Sequence, residues 1–321
     1  MSYLNDTNTE GSKVVHINSI DATTKFSSDR TTDFSYELEQ PIVVPENQMI
    51  LVSCIGATIP YTFYNIRSNI NNRVAVRLTE NGLIYNLDIP EGNYSSTALL
   101  LKLKQLFDGQ VFSETINITY DRVSMKFNFT IVGGSGTAFF DFTPENNPYP
   151  INVELGFNKS LTQITTNTLS PNVADINGSI HGLYIRSDIS TNSIYDSESK
   201  SLSGILSRIP IRVNFGGIIF WDTADGVGHK AQVDNQTIKS IRIRLTDDRN
   251  RLINLNGLDF SITILFDFVY RKSRIQPLNK ESRRIQEIAF QQKINKEKEK
   301  NKGKNPVGRP RKVGRPKKVK N

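Results

Sequence analysis

The sequence predicts an all-β fold, a jelly-roll type of sandwich with one short helix, followed by a basic C-terminal tail. Short runs rich in Val, Ile, Phe, Tyr and Thr fill residues 13–270, and Asn, Gly, Pro and Asp separate them, as in strands joined by turns. Several runs alternate apolar and polar side chains, which is typical of strands with one buried face. With 321 residues and 37% hydrophobic residues, the chain is able to form a sizeable core.

Strands are predicted along the whole of this head. Met125–Ile131 and Ile241–Leu245 alternate most clearly, and Asn81-Gly82 is a strong hairpin signal between two strands. The predicted strands are Phe34–Leu38, Met49–Thr58, Arg73–Leu78, Leu83–Ile89, Thr115–Tyr120, Val123–Val132, Ala138–Phe142, Gly182–Arg186, Ile211–Asn214, Ile218–Trp221, Thr237–Leu245 and Asp259–Tyr270.

One helix is predicted inside the head. Ser95 or Ser96 caps it, and the apolar residues that follow have helical spacing. These are Leu99, Leu100, Leu103, Leu106 and Phe107. Residues 133–208 are rich in Asn, Ser and Thr with weak periodicity, so we expect long loops or an insertion there. An insertion also fits the length of the head, which is large for one sandwich.

The net charge of +8 hides a strong asymmetry. Of the 40 Lys and Arg, 19 lie from Arg271 onward with only 4 of the 32 acidic residues, so the tail carries +15. Residues 1–270 keep 21 basic and 28 acidic residues, a net −7. We expect residues 1–12 to be flexible and to lack a signal-peptide core, 271–300 to form a basic helical linker, and 301–321 to be disordered.

A tandem repeat ends the chain. Val307–Lys312 reads V-G-R-P-R-K and Val313–Lys318 reads V-G-R-P-K-K, and each copy resembles an AT-hook core. Proline favours an extended chain, and Arg is attracted to the narrow A·T-rich minor groove. The predicted DNA contacts are Gly308, Arg309, Pro310, Arg311, Lys312, Gly314, Arg315, Pro316, Lys317 and Lys318. A nuclear import signal or generic neutralisation of the genome remain alternatives for this segment.

No catalytic, metal or cofactor site is predicted. The histidines His16, His181 and His229 lack metal-ligand spacing, and the single cysteine, Cys54, lies in an apolar run typical of a core. The carboxylate pairs Asp247-Asp248 and Asp222/Asp225 fall in predicted turns. Gly133–Gly136 lacks the Lys of a phosphate loop. No run approaches the ~20 apolar residues that span a bilayer.

A further set of motifs lies in the head, at Val15–Ser19, Thr32–Leu38, Ile59–Ile66, Ile89–Tyr94 with the predicted helix after it, Ile241–Asp248 and Leu255–Ile262. Together these segments resemble one viral family, the jelly-roll minor capsid (penton) proteins of virophages and Polinton-like viruses. The resemblance covers about residues 13–130 and 209–270. It implies five copies around a capsid vertex, in contact with major capsid proteins. Residues 133–208 and the tail have no counterpart in the pattern, which leaves open another minor capsid position.

Three functions follow as hypotheses. The first is a penton-type capsid protein of a double-stranded DNA virus, located in the virion and, during assembly, in the host nucleus or a cytoplasmic virus factory. It would form a homo-oligomer, a pentamer, and its tail would bind genomic double-stranded DNA, with the A·T preference that the hook resemblance implies. The alternative is a nuclear AT-hook DNA-binding protein with a β-sandwich interaction domain. The third is a carbohydrate-binding module using Trp221 and exposed tyrosines.

Overall fold

The computed structural model describes residues 9–26, 31–110, 112, 115–132, 137–189, 194–196, 200–223, 229–233, 235–270, 288 and 290–296. The chain divides into two units, Met1–Tyr270 and Arg271–Asn321. The first unit contains nearly all of the described residues, and its strands pair in antiparallel fashion. None of the helices in the described part of the chain has the length and apolarity needed to span a bilayer.

The first unit contains nineteen strands in the described residues and two α-helices. The strands are β1 (Thr9–Asn18), β2 (Thr24–Lys25), β3 (Asp33–Val43), β4 (Gln48–Pro60), β5 (Arg73–Arg77), β6 (Tyr85–Asp88), β7 (Thr115–Asp121), β8 (Lys126–Val132), β9 (Ala138–Asp141), β10 (Leu161–Ile164), β11 (Thr168–Leu169), β12 (Gly182–Ser187), β13 (Ile194–Asp196), β14 (Ser201–Ser203), β15 (Ile205–Pro210), β16 (Ile218–Asp222), β17 (Ala231–Val233), β18 (Thr237–Thr246) and β19 (Ser261–Tyr270). The helices are α1 (Ser96–Asp108) and α2 (Asn152–Leu155).

Eight of these strands form a jelly roll. One sheet has the order β1-β19-β4-β16, with β17 also pairing with β4, and the other has the order β15-β12-β18-β3-β2. When β1, β3, β4, β12, β15, β16, β18 and β19 are numbered one to eight in chain order, the two sheets read 1-8-3-6 and 5-4-7-2. This is the connectivity of two Greek keys wrapped into a jelly roll. The predicted all-β jelly-roll fold is therefore confirmed.

The core of the jelly roll lies between its two sheets. Strand β18 places Ile241, Ile243 and Leu245 in this core, and the intervening side chains face outward, as the predicted alternation requires. Cys54 on β4 is also part of the core, and burial raises the pKa of its thiol to about 12. This confirms the interpretation of Cys54 as a core residue.

An insertion with its own core lies between β4 and β12. It contains the sheets β10-β9-β5-β6 and β11-β8-β7, and α1 packs beside them. Its core is rich in mutually packed phenylalanines, among them Phe129, Phe140 and Phe157, with ring centroids of neighbouring pairs 4.8–5.7 Å apart. Close aromatic packing of this kind stabilises a small core beyond the area it buries.

The insertion therefore does not have the boundaries 133–208 predicted from the sequence. Within that stretch, β9, β10 and β11 belong to the inserted sheets, whereas β12 and β15 are jelly-roll strands that flank the hairpin of β13 and β14. The strands involved have two to six residues. Within so few residues, the alternation of apolar and polar side chains is too short to be recognised as the two-residue period of a strand. The predicted strand Ile211–Asn214 is also wrong, because β15 ends before it at Pro210.

Helix α1 agrees with its prediction. The Ser95 side chain accepts a hydrogen bond from the Ala98 N–H (3.2 Å) and so caps the helix. Leu99, Leu103 and Phe107 are buried in the core of the insertion. The predicted hairpin is present too, since β5 pairs with β6 and Asn81-Gly82 lies in the loop between them.

Candidate functional site

The predicted DNA contacts, Gly308 to Lys312 and Gly314 to Lys318, lie outside the described residues and stay a prediction. In the second unit, residues 290–296 are helical. The exit point of the tail from the first unit is described, because that unit ends with β19.

The tail and the insertion leave opposite ends of the same jelly-roll sheet. Tyr270, the last residue of β19, pairs with Gln48, the first residue of β4. The segment that leads into the insertion starts after Pro60, at the other end of β4. Strand β4 has 13 residues, so the two exits lie about 40 Å apart at ~3.3 Å per residue. The head therefore has two distinct ends, one carrying the insertion and one where the basic segment begins.

An ionic network ties the insertion end together. Asp247, in the turn after β18, is fully buried, and its Oδ2 accepts from Arg251 Nε (2.7 Å) and Arg67 Nη1 (3.4 Å). Its Oδ1 accepts the backbone N–H groups of Arg249 and Arg251, both at 2.9 Å. Arg67 comes from the segment that enters the insertion, so this carboxylate links a jelly-roll turn to the inserted part. The interpretation of Asp247 as a turn residue is confirmed.

Glu154 on α2 is the most perturbed acid of this end. The side chain is 2% exposed, its Oε1 accepts from Asn71 Nδ2 (2.5 Å), and its Oε2 has no hydrogen-bond partner among the described residues. Burial raises the pKa of Glu154 to about 7. Burial likewise lowers the pKa of Arg67, because desolvation opposes charge on both groups.

Replacing Glu154 with Gln should remove a pH dependence of stability. The folded pKa of about 7 lies above the ordinary glutamate pKa of 4.5, so the stabilising contribution is complete below pH 4.5 and is lost as the pH rises through about 7. The shift corresponds to about 3 kcal/mol. Urea denaturation from pH 4.5 to 8 should show a loss of that order in the wild-type chain and a flatter profile in Glu154→Gln. The matched change of exposed Glu145 to Gln should keep the wild-type profile; equal profiles for all three chains would contradict the assignment.

The remaining polar candidates form no catalytic or metal centre within the described residues. His16 Nδ1 lies 2.9 Å from Thr263 Oγ1, and His181 Nε2 lies 3.1 Å from Asp175 Oδ2. No group of three or more His, Cys, Asp and Glu side chains is placed to hold a metal ion in the part of the chain that is described. Asp225 and Gly133–Gly136 lie outside it. Trp221, the sugar-binding candidate, is half-buried against the jelly-roll core.

Two viral capsid proteins are similar in structure to this chain. The first is the penton protein of mavirus, with a TM-score of 0.46 and 11% identity over 81% of this chain and 100% of that one. The second is VP17, a capsid protein of bacteriophage P23-77, with a TM-score of 0.18 and 8% identity over 82% of this chain and 98% of that one. No protein-family model and no curated protein matches the sequence.

Sequence reasoning missed Arg67, Asn71 and Glu154 as a group. Each is ordinary in its local context, and they converge only when the chain folds. One local signal existed for Glu154, because it is the single charge in the apolar segment Ile151–Phe157. A carboxylate in the middle of such a segment indicates either a buried acid or a break in the apolar face.

Proposed function

We propose that this chain is a penton-type minor capsid protein of a double-stranded DNA virus, which assembles with copies of itself at vertices and contacts genomic DNA through its tail. The observation that carries the proposal is the placement of the insertion and the tail exit at opposite ends of the jelly roll. A shell protein needs an inner and an outer side, and a tail with +15 that begins at one end of the head supports the proposal that this end faces nucleic acid. The motif resemblance in the head supports the same function.

In this arrangement the insertion end faces outward from the virion. The acidic head, with net −7, avoids the polyanionic genome, and the cationic tail neutralises phosphates. The major capsid protein is the proposed lateral partner. Assembly takes place in the host nucleus or a cytoplasmic virus factory, where genome and shell proteins meet.

Self-assembly is supported by the open edges of one sheet. Strands β1 and β16 end the sheet β1-β19-β4-β16, and neither has a further strand partner among the described residues. On β16, Ile218 is 49% and Phe220 73% exposed. An open sheet edge with apolar side chains tends to associate with another chain. If the β16 edge of one copy contacts the β1 edge of the next copy, the contact is head-to-tail, which is the type of contact that closes into rings.

Native mass spectrometry of the full chain tests the ring. We expect a closed pentamer, and we expect the double substitution Ile218→Asp and Phe220→Asp to shift the population to monomer, because it buries two charges in the contact. The matched control is Leu83→Asp, which places a charge at a side chain that is 80% exposed on the insertion. A wild-type chain that stays monomeric at every concentration, and does not enter particles with a major capsid protein, contradicts the capsid function.

The tandem hook repeat favours one other function, a nuclear AT-hook DNA-binding protein whose β-sandwich recruits a partner. That protein would bind A·T-rich DNA as a monomer and would not enter capsid particles. Co-expression with a major capsid protein separates the two: penton function requires the chain in purified particles, and the nuclear function requires it on chromatin.

A further inference from the structure

A cleft of about 370 Å³ lies at the insertion end of the first unit, in the size range of small-molecule sites. Four chain segments line it: the one that enters the insertion, the one before α1, the one that returns to β12, and the loop between β15 and β16. The lining side chains that matter here are three aromatics, Tyr61, Tyr94 and Phe215, and three amides, Asn93, Asn177 and Asn214.

The walls of the cleft are held by hydrogen bonds among these segments. The Tyr61 N–H donates to Gly217 O and the Gly216 N–H donates to Tyr61 O, both at 2.8 Å. Asn65 Nδ2 donates to the Tyr94 and Ile176 carbonyls at 2.7 Å, and its Oδ1 accepts the Tyr94 N–H at 2.8 Å. Gly216 has a φ of +84°, which glycine adopts without strain. The cleft is therefore preformed.

Aromatic side chains give the cleft one apolar wall. Phe215 is 42% exposed at the tip of its loop. Its ring centroid lies 5.7 Å from that of Tyr61, at 75°, and 6.4 Å from that of Tyr64. The contacts fix the position of Phe215 and still leave part of the ring open. Rings in this setting offer a flat apolar surface to a ligand at low entropic cost.

Three exposed neutral amides contribute to the polar lining of the cleft, beside Ser95, His181 and the tyrosines. Asn93, Asn177 and Asn214 are exposed, and none of their side chains makes a hydrogen bond within the described residues. Each amide offers donors and an acceptor. The lining contains no Lys, Arg, Asp or Glu, and its His181 lies 3.1 Å (Nε2 to Oδ2) from Asp175, which is not part of the lining. A charged ligand would therefore find few groups of opposite charge in the cleft. Hydroxyl groups of a ligand can both donate hydrogen bonds to the amide oxygens and accept them from the amide NH₂ groups.

We propose that this cleft binds a neutral carbohydrate, a sugar ring or the end of a neutral glycan. The C–H face of the sugar lies against Phe215 and Tyr61, and its hydroxyls exchange hydrogen bonds with Asn93, Asn177 and Asn214. The site differs from the Trp221 surface suggested by the sequence. It does not depend on the capsid function, although at the end opposite the tail exit it would be accessible on a particle.

A glycan array probed with the labelled full chain, followed by NMR titration of the best neutral glycan, tests the site. We expect saturation transfer to be strongest at the C–H protons of one sugar face. Phe215→Ala and Asn177→Ala should each weaken binding about 10-fold or more, the loss of roughly 1.4 kcal/mol. Both side chains are exposed at the rim, so folding should be preserved, which unchanged thermal unfolding will show.

Phe26→Ala is the matched control, because Phe26 is an aromatic of similar exposure that stacks on Arg242 outside the cleft. It should leave glycan binding unchanged. The proposal is overturned if no neutral glycan binds at millimolar concentration, if only charged glycans bind, or if Phe215→Ala and Asn177→Ala bind like the wild-type chain. A chain that binds a glycan but remains monomeric would support this site and contradict the capsid function.

Discussion

Deletion of residues 301–321 should weaken binding of double-stranded DNA by about 100-fold or more at moderate salt, because the deletion removes nine Lys and Arg and no acidic residue. Each lost phosphate contact should also reduce the slope of log affinity against log salt by ~0.9. The chain left behind combines an acidic region over residues 1–270 with a segment 271–300 that keeps a net +6, so only a weak non-specific affinity should remain. Fluorescence anisotropy with a short duplex over a range of salt concentrations measures both quantities.

A charge-conserving variant separates groove recognition from neutralisation. Arg309→Lys with Arg315→Lys keeps the net charge and removes the two guanidinium groups at the centre of the repeats. If the repeats bind the minor groove, the preference for an A·T-rich over a G·C-rich duplex should fall while the salt slope stays the same. If the tail only neutralises phosphates, the A·T preference and the salt slope should both stay as in the wild-type chain. Unchanged affinity and slope after the deletion itself would show that the DNA contacts lie elsewhere.

The motifs that resemble the viral family are far apart in sequence but meet in the structure. Asn65 and Ile66 bond to the Gly92–Tyr94 segment, with the Ile66 N–H donating to Gly92 O and the Gly92 N–H donating to Ile66 O. Ser19 Oγ donates to Asp259 Oδ1 (2.7 Å) and accepts the Phe260 N–H (3.0 Å). These contacts give the motif residues a structural role in this chain: they close the jelly roll and fix the start of the insertion.

Local patterns were sufficient for the parts of the fold that depend on neighbouring residues. The alternation in β18 and the cap and spacing of α1 follow from a period of two and of 3.6 residues. Local patterns do not predict which strands pair with each other, because partners such as β1 and β19 lie at opposite ends of the head sequence. Strands such as β11, with two residues, have no period to detect and are held by their partner β8. The position of the insertion followed from such non-local pairings and was therefore missed.

The candidate functional sites also divide into those that depend on neighbouring residues and those that depend on distant ones. The tail repeat is linear, so its predicted contacts are visible in the sequence without any fold. The cleft and the ionic network are assembled from segments more than a hundred residues apart, such as Arg67 and Asp247. Asp247 was identified correctly as a turn residue, yet nothing local shows that its second carboxylate oxygen also holds two arginines.

Asp247→Ala should be the most destabilising single substitution at the insertion end. It removes an acceptor of four hydrogen bonds and leaves the guanidinium of Arg67, whose side chain is 13% exposed, without its counter-ion. Removing one partner of a buried ion pair costs about 3–5 kcal/mol. Since domains of this kind are stable by only about 5–15 kcal/mol, the loss should be evident as a large fall in the urea midpoint at neutral pH.

Two controls show whether charge or turn geometry is responsible. Asp248→Ala, at the adjacent half-buried carboxylate, should cost much less, because the salt bridges of this turn are made by Asp247. Asp247→Asn retains an oxygen for the Arg249 and Arg251 N–H groups but loses the charge, so it should lie between the wild-type chain and Asp247→Ala. A double substitution of Asp247→Ala with Arg67→Met should recover part of the loss, because it removes the uncompensated cation. If Asp247→Ala and Asp248→Ala were equally stable, the Asp247 carboxylate would not join the jelly roll to its insertion, and the two parts would be held together by apolar packing and by the other hydrogen bonds, such as those between Tyr61 and the Gly216–Gly217 backbone.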